Sequence, residues 1–455
     1  MNKKPIERAH YSEYKRLLEL CQSCPDFTRD FFSSPRRTLQ SLGFVLDEEA
    51  CQEAIKVAVG KGDLKMGSQN LYLDLASDIS KKLYMELGEK FKIDYFSNED
   101  FKSWYLRQKS RILFESVSLR KNRSLFFSPI SFELTDGCSV SCDFCCLAPG
   151  KLNGCFRYSE NNAKLWKDIL KISKEVIGQI AATGTCYFAT EPFDNPDYEK
   201  FIVDFFNVFG FYPQTTTAKS TQNIGRTKHL MNMLGSKHLA SASLRFSVVT
   251  KSQLKKIHEE FTPEELKNID LLLNNPESMF GYIPSGRAFK LQETASGKKF
   301  VQKATNICTI GFVVNMVRRS IKLIAPKNPD TINSIGMKVY ESINFTDALS
   351  FESAIYKLIN KWMQQKVPFN KKLYSTISYN RDGNYIVFKG DHIHKSVSIS
   401  EACFKSFTHI ARGYSMSNAL KKENLSDFDR IRMMEFVQMF YNEGFIDLFG
   451  YSASS

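Results

Sequence analysis

Between about residue 126 and residue 325, short β-type runs alternate with amphipathic helical stretches, which points to a parallel α/β architecture. Ile130, Phe132 and Leu134 alternate with Ser131, Glu133 and Thr135, the period of two of a half-buried strand. The next stretch places Leu165, Ile169, Ile172, Val176 and Ile180 on one helical face. A second strand is expected over Thr185–Ala189, and others over Tyr212–Thr216, Leu244–Val249, Ile269–Asn274 and Gly311–Met316. About six such repeats suit an open partial barrel, a (β/α)6 arrangement, better than a closed eight-fold one. Asn195-Pro196-Asp197 reads as a helix start, with Asn at the cap and Pro in the first turn. Thr262-Pro263-Glu264-Glu265 reads as a capping box.

At the end of the first of these strands stand Cys138, Cys142 and Cys145, in a CxxxCxxC spacing. Three thiolates so close in sequence can hold three irons of a [4Fe–4S] cluster, and without a fourth cysteine one iron stays open to a non-protein ligand. Cys142 and Cys145 alone would also suit a redox or zinc pair. Cys138 four residues earlier, with no His and no second CxxC nearby, argues against zinc. Cys146 is adjacent and would point elsewhere. Cys21 and Cys24 form a lone CxxC with no second pair at zinc-finger spacing.

The chain has 455 residues, 43% of them apolar and 24% charged, so two or three domains of ordinary globular composition are expected. It contains eleven cysteines, four of them between Cys138 and Cys146, a distribution that fits metal binding in a reducing compartment rather than a disulfide framework. No apolar run approaches the roughly 18 residues of a membrane span. The charged start Met-Asn-Lys-Lys has no apolar core of a signal peptide, so a cytoplasmic location is expected. The net charge of +13 is dispersed, with no basic run and no nucleic-acid module. Either it is a solvated surface, or it attracts an acidic polypeptide.

Residues 1–125 read as a helical domain, with apolar spacing of three and four over Glu13–Leu20, Phe27–Phe32, Glu48–Val59 and Asp78–Phe91. Residues 126–325 hold the strand–helix alternation, and 326–370 read as a connecting region. Residues 371–455 carry a hairpin turned at Asp382-Gly383, a strand over Ser396–Ile399 and helices starting at Ser400 and Ser426, which together suggest a winged helix.

These pieces resemble the radical S-adenosylmethionine (SAM) superfamily, and within it the peptide amino-acid epimerases that mature ribosomally made peptides (RiPPs). The resemblance rests on the cysteine motif within Phe132-Glu133-Leu134-Thr135-Asp136-Gly137-Cys138 and on Tyr14-Lys15-Arg16-Leu17-Leu18-Glu19 with Cys24-Pro25-Asp26-Phe27. It extends to Pro213-Gln214-Thr215-Thr216-Thr217-Ala218 and to Gly311-Phe312-Val313-Val314-Asn315-Met316. It implies a radical SAM partial barrel with a [4Fe–4S] cluster on Cys138, Cys142 and Cys145 and SAM on the open iron. Phe144 would lie against the adenine. Thr190-Glu191-Pro192 stands where such enzymes carry Gly-Gly-Glu-Pro, so Thr190 and Glu191 would meet the SAM ammonium, although Ala189 and Thr190 replace the two glycines. Thr216, Arg245 and Ser247 align with positions that touch the ribose and carboxylate. Gly286-Arg287-Ala288 is similar to an element after strand five, where a glycine could approach SAM closely or simply turn the chain.

The resemblance further implies a mechanism. The reduced cluster splits SAM to a 5′-deoxyadenosyl radical, which removes Hα from an L-residue, and a cysteine S–H returns hydrogen to the opposite face. Cys308, just before the sixth strand, is the expected donor, against the alternative of a buried small hydrophobe. Cys403, Cys186 and Cys155 are further candidates. The implied partners are a precursor peptide with an acidic leader, bound by the winged-helix unit through strand addition, and an electron donor of flavodoxin or ferredoxin type. Residues 27–48 themselves look like such a leader or a domain imitating one. Peptide C-methylation, crosslinking or backbone excision are the competing chemistries, and a non-catalytic leader-binding scaffold is the competing class. No nucleic acid and no membrane is expected as a partner.

Overall fold

The computed structural model describes residues 10–59, 95–115, 127–235, 244–294, 300, 307–328, 335–390 and 393–448. The expected helix over Asp78–Phe91 lies outside them. The described residues of Met1–Ile93, Leu134–Arg157 and Ala189–Val301 form one unit, and those of Asp94–Glu133, Tyr158–Phe188 and Gln302–Ser455 form a second. The strands over 126–325 are thus divided between two units. Among the described residues no sheet closes on itself, and no helix is long and apolar enough to cross a membrane.

In the first unit, helices Tyr11–Ser23, Pro25–Ser33, Pro35–Ser41 and Glu48–Val59 follow one another. Tyr14, Leu17, Cys21, Phe31, Leu39, Phe44, Cys51 and Ile55 form their shared core. Residues 27–48, expected to look like a leader segment, are here part of that helical array. Cys21 and Cys51 belong to its apolar interior, where burial pushes each thiol up to about 12. Lys15 and Glu19, one turn apart on the first helix, form a buried ion pair.

The first unit also holds a parallel sheet of Thr215–Thr217, Leu244–Val248 and Asp270–Leu273. Leu244, Phe246, Val248, Leu271 and Leu273 face one side and are buried. Thr216, Arg245 and Asp270 stand side by side on the other face, followed by Ser247. The helix expected to open at Asn195 begins instead at Tyr198, with Asp197 at its cap. Asn195 is drawn away because its amide donates to Leu134 O (2.9 Å) and Phe156 O (2.8 Å). The capping box at Thr262 forms, with Glu265 N–H on the Thr262 hydroxyl at 3.2 Å, but the segment stays a series of turns.

The second unit is built on the sheet order Ser128–Glu133, Thr309–Asn315, Ser320–Pro326, Met337–Asn344, parallel in the first pair and antiparallel after it. Gly311 is forced there: a Cβ on it would lie 2.0 Å from Pro129 O. The expected strand over Thr185–Ala189 shrinks to one parallel bridge, Ser131 to Thr185. The Thr185 hydroxyl donates to Tyr187 O at 2.7 Å, which turns the chain out of extension. Trp166, on helix Glu160–Ile177, meets Phe132 edge-on at 4.9 Å.

The C-terminal part carries an antiparallel sheet, Ser378–Asp382, Tyr385–Lys389 and His394–Ser398. Helices Glu401–Ala411 and Asp427–Asn442 are capped by Ser400 and Ser426. Phe388 packs on Phe440 (4.5 Å) and Phe445 (4.9 Å). Asp447 is buried here and accepts from Lys338 (3.1 Å), Gln108 (3.3 Å) and the Tyr340 hydroxyl.

Candidate functional site

The cysteine loop hangs from a two-stranded clip in the first unit. Thr135–Asp136 pair antiparallel with Gly154–Cys155, and Asn153 N–H donates to Asp136 O at 2.7 Å. Above the clip, Cys138 N–H reaches Gly150 O at 3.1 Å. Gly137 has φ +84°, and a Cβ there would lie 2.2 Å from Lys151 O, so the loop can pinch this tightly only with glycine. Within the loop Cys145 N–H turns back onto Cys142 O at 3.1 Å.

Gly286 and Arg287 hold the far side of the loop. Arg287 N–H donates to Cys145 O (2.8 Å), its guanidinium reaches Cys142 O (3.4 Å), and its other end meets Pro149 O. Gly286, at φ +57°, would place a Cβ 2.3 Å from Cys146 O and 2.5 Å from Cys145 O. The close approach made by this glycine is therefore to the backbone of the cysteine loop. Phe144 lies 5.7 Å from the ring of Tyr282, whose hydroxyl donates to Asn274 O at 2.6 Å.

Cys138, Cys142 and Cys145 are all partly exposed. Burial pushes the Cys142 thiol up to about 12, and the neighbouring Cys145 and Cys138 push the same way. Burial also raises Cys138, against the backbone N–H groups of Val140 and Ser141. Among the described residues no group of three or more His, Cys, Asp or Glu side chains is arranged to hold a metal ion. The three thiols share one loop, and Cys142 feels both Cys145 and Cys138.

Glu191 is buried, 4% exposed, at the cap of the short 3-10 helix Pro192–Asp194. Its Oε1 accepts from Phe193 N–H (3.0 Å) and the Thr217 hydroxyl (2.5 Å), and its Oε2 accepts from Ala218 N–H (2.9 Å). Burial raises its pKa, and the three bonds that pull the other way do not cancel the rise. All three donors are neutral. Its charge is felt at Cys138 and Cys142.

The other expected residues divide. Thr190 is half-buried beside Glu191. Thr216 and Arg245 meet, Nε donating to Oγ1 at 2.9 Å, and Ser247 follows on the same sheet face. Cys308 belongs to the second unit, where it is exposed rather than buried, its carbonyl accepting from Ser128 N–H at 2.7 Å. Cys186 and Cys403 are buried. Cys155 is partly exposed, on the clip, and donates to Asp194 O at 3.3 Å. Sequence reasoning missed Asp194, Ser139 and Lys219. Their one signal is that Asp194 follows Glu191 by three residues.

No protein-family model matches the chain, and no solved structure matches it. A curated protein described as "Uncharacterized protein y4wI", from Sinorhizobium fredii (strain NBRC 101917 / NGR234), is 33% identical over 241 residues, 51% of this chain and 46% of that protein. The chain spans about half the length of this relative.

Proposed function

We propose that the chain is a radical SAM enzyme acting on peptides, with L-to-D epimerisation of residues in a ribosomally made precursor as its reaction. One observation carries the reading: a loop of three thiols, fixed on its far side by Gly286 and Arg287, adjoins a buried carboxylate held only by neutral donors. The chemistry of the donor set fits a [4Fe–4S] cluster. Burial raises the Cys138 and Cys142 thiols, and a cationic iron centre would ionise the thiols it binds. Cys138, Cys142 and Cys145 would hold it, and its open iron would take SAM. Bound there, the pair supplies one-electron reduction of the SAM sulfonium and hence hydrogen-atom abstraction.

The remaining roles fall to the chain. Glu191 would accept from the SAM ammonium through a charge-assisted bond, using the acceptor capacity that three donors leave. Phe144 and Tyr282 offer an aromatic wall for the adenine. Thr216, Arg245 and Ser247, which share one sheet face, would meet the ribose and carboxylate. Cys308 returns hydrogen to the peptide Cα, and an external electron donor, with a proton, restores its thiol. Alongside this reading we place the fold in the partial (β/α)6 class, the C-terminal unit as a winged-helix-like binder of an acidic leader, and the protein in the cytoplasm. One observation favours a second reading, a leader-binding scaffold: the three thiols are not arranged as a metal-holding group.

Anaerobic reconstitution tests the two. The proposal expects about four irons and four sulfides per chain by its own cluster stoichiometry, and release of 5′-deoxyadenosine on reduction with SAM. A scaffold binds peptide and leaves SAM intact. With the precursor peptide in deuterated water, epimerisation adds one deuterium per altered residue, methylation adds a methylene and crosslinking removes two hydrogens. Cys308→Ala should stop deuterium uptake while sparing SAM cleavage, and unchanged uptake would eliminate it as donor.

A further inference from the structure

Asp194 takes part in the cysteine loop without being near it in sequence. Its side chain is 1% exposed and receives three donors from two directions. Ser139 N–H reaches Oδ2 at 2.9 Å, the Ser139 hydroxyl reaches Oδ1 at 2.6 Å, and the Lys219 ammonium also reaches Oδ1 at 2.6 Å. Ser139 is the residue after Cys138. Lys219 is the residue after Ala218, whose N–H holds Glu191, and its own N–H donates to the Thr217 hydroxyl at 2.9 Å.

One carboxylate therefore ties the Cys138 end of the loop to the segment that grips Glu191. Satisfying a turn needs no such arrangement, because Ser139 is exposed and water would serve both of its groups. Burying a carboxylate against an ammonium is costly in desolvation, whereas its charge-assisted bonds fix geometry in two directions at once.

We propose that Asp194 is a positioning residue that sets the spacing between the Cys138 end of the cysteine loop and Glu191. This inference rests on the cluster reading above and deepens it. A ligand held by both the cysteine-loop cluster and Glu191 would have to span that spacing, so Asp194 would govern how tightly SAM is held without touching it. Gly286 and Arg287 hold the opposite end of the loop, and at the Cys138 end Asp194 adds a side-chain tie to the backbone bond from Cys138 N–H to Gly150 O.

The test uses the full-length protein, reconstituted anaerobically, with Asp194→Ala, Ser139→Ala and the double variant. Three readings are taken: iron and sulfide per chain, the SAM dissociation constant by equilibrium dialysis, and the change in the electron paramagnetic resonance spectrum of the reduced protein when SAM is added. Asp194→Ala should keep wild-type iron, since the three thiols remain, yet bind SAM about tenfold more weakly and show a smaller spectral change, as expected when charge-assisted bonds are lost. Ser139→Ala, at an exposed position, should weaken SAM about threefold. The double variant should be no worse than Asp194→Ala, because both residues act through one contact.

Wild-type SAM affinity and spectra in both single variants overturn the inference, as do losses that add in full. Should Asp194→Ala not fold, Ser139→Ala decides the matter, because it keeps the backbone bond and the buried ion pair. A wild-type protein that takes up no iron overturns the cluster reading itself, whereas an intact wild-type cluster with indifferent variants overturns only the role of Asp194.

Discussion

Asp447 in the second unit and Glu191 in the first are both buried carboxylates with several hydrogen bonds, and they are satisfied in opposite ways. Asp447 accepts from the Lys338 ammonium, from the Tyr340 hydroxyl and from Gln108, with its own chain adding Leu448 N–H at 2.8 Å. Burial raises its pKa, but Lys338 and the Tyr340 hydroxyl outweigh this and hold the carboxyl below its usual range. Glu191 has a comparable number of donors and no cation among them, and burial prevails. A buried carboxylate with its own cation is complete. One held by neutral dipoles alone is fixed in place and still lacks a counter-charge, which is what a ligand ammonium would bring.

The largest effect that tests this contrast is on the closed site. Asp447→Ala takes the carboxylate from the partly buried Lys338, which keeps the Tyr374 hydroxyl and Leu448 O, and it also removes the acceptor of the buried Tyr340 hydroxyl and Gln108 amide. Together these losses should cost about 3 kcal/mol of stability, read as a lowered midpoint in denaturant, with the proposed SAM binding by the surviving folded fraction unchanged. Its pH dependence has a definite sign. A carboxyl held below the ordinary value of 3.8 contributes stability that is present above that value and is lost as pH falls through the folded value. The wild-type advantage over Asp447→Asn should therefore shrink in acid. A constant difference from pH 6 to pH 2 would remove the ion pair from the account.

Gly286→Ala comes next. A side chain at φ +57° that also meets two carbonyls within 2.5 Å should cost about 2–3 kcal/mol. It should also lower the iron bound per chain, because the loop must move to make room. Full iron uptake with a stability loss would mean that the clamp serves folding alone.

Glu191→Gln is expected to do the reverse of Asp447→Ala. The amide still accepts through one oxygen, so stability should fall by only about 1 kcal/mol. On the proposed function the SAM ammonium would lose its charged acceptor, which should cost about 2 kcal/mol, a thirtyfold weakening of SAM binding by equilibrium dialysis. Equal losses in fold and ligand would place Glu191 in the same class as Asp447.

How much of this could be foreseen follows the range of the forces involved. Local patterns were legible: the alternation about Ile130 and Phe132 became the strand Ser128–Glu133, and Ser400 and Ser426 cap helices as their side chains suggest. The cysteine spacing suggests a candidate cluster site from sequence alone, because it lies within eight residues. The burial of Glu191 was not, since it depends on Thr217 and Ala218, 26 and 27 positions away. Asp194 to Ser139 spans 55 positions and Arg287 to Cys142 spans 145, and no local pattern marks either pair. Thr185 misled because Thr185, Tyr187 and Phe188 are strand-favouring types, while the Thr185 hydroxyl bonds its own chain two residues on and ends the extension.

Glu19 strains the simple contrast and gives its smallest test. It has a cation, Lys15, on the next turn of its own helix, yet its pKa is raised to about 7. Burial is the main cause; Lys15 opposes it, and Asp270 adds to it. Its Oε2 is buried without a hydrogen-bond partner, unlike either oxygen of Glu191. A counter-charge is therefore not sufficient, and a closed site also needs its acceptors filled. A carboxyl whose folded pKa exceeds the unfolded one binds more protons when folded, so its contribution to stability falls as pH rises from about 4.5 to about 7. The stability of the wild type relative to Glu19→Gln should thus decline by about 1–2 kcal/mol between pH 5 and pH 8, measured by denaturant unfolding at each pH. A difference that grows with pH would mean that Lys15 alone completes Glu19, and that the missing hydrogen bond carries no weight in separating closed sites from open ones.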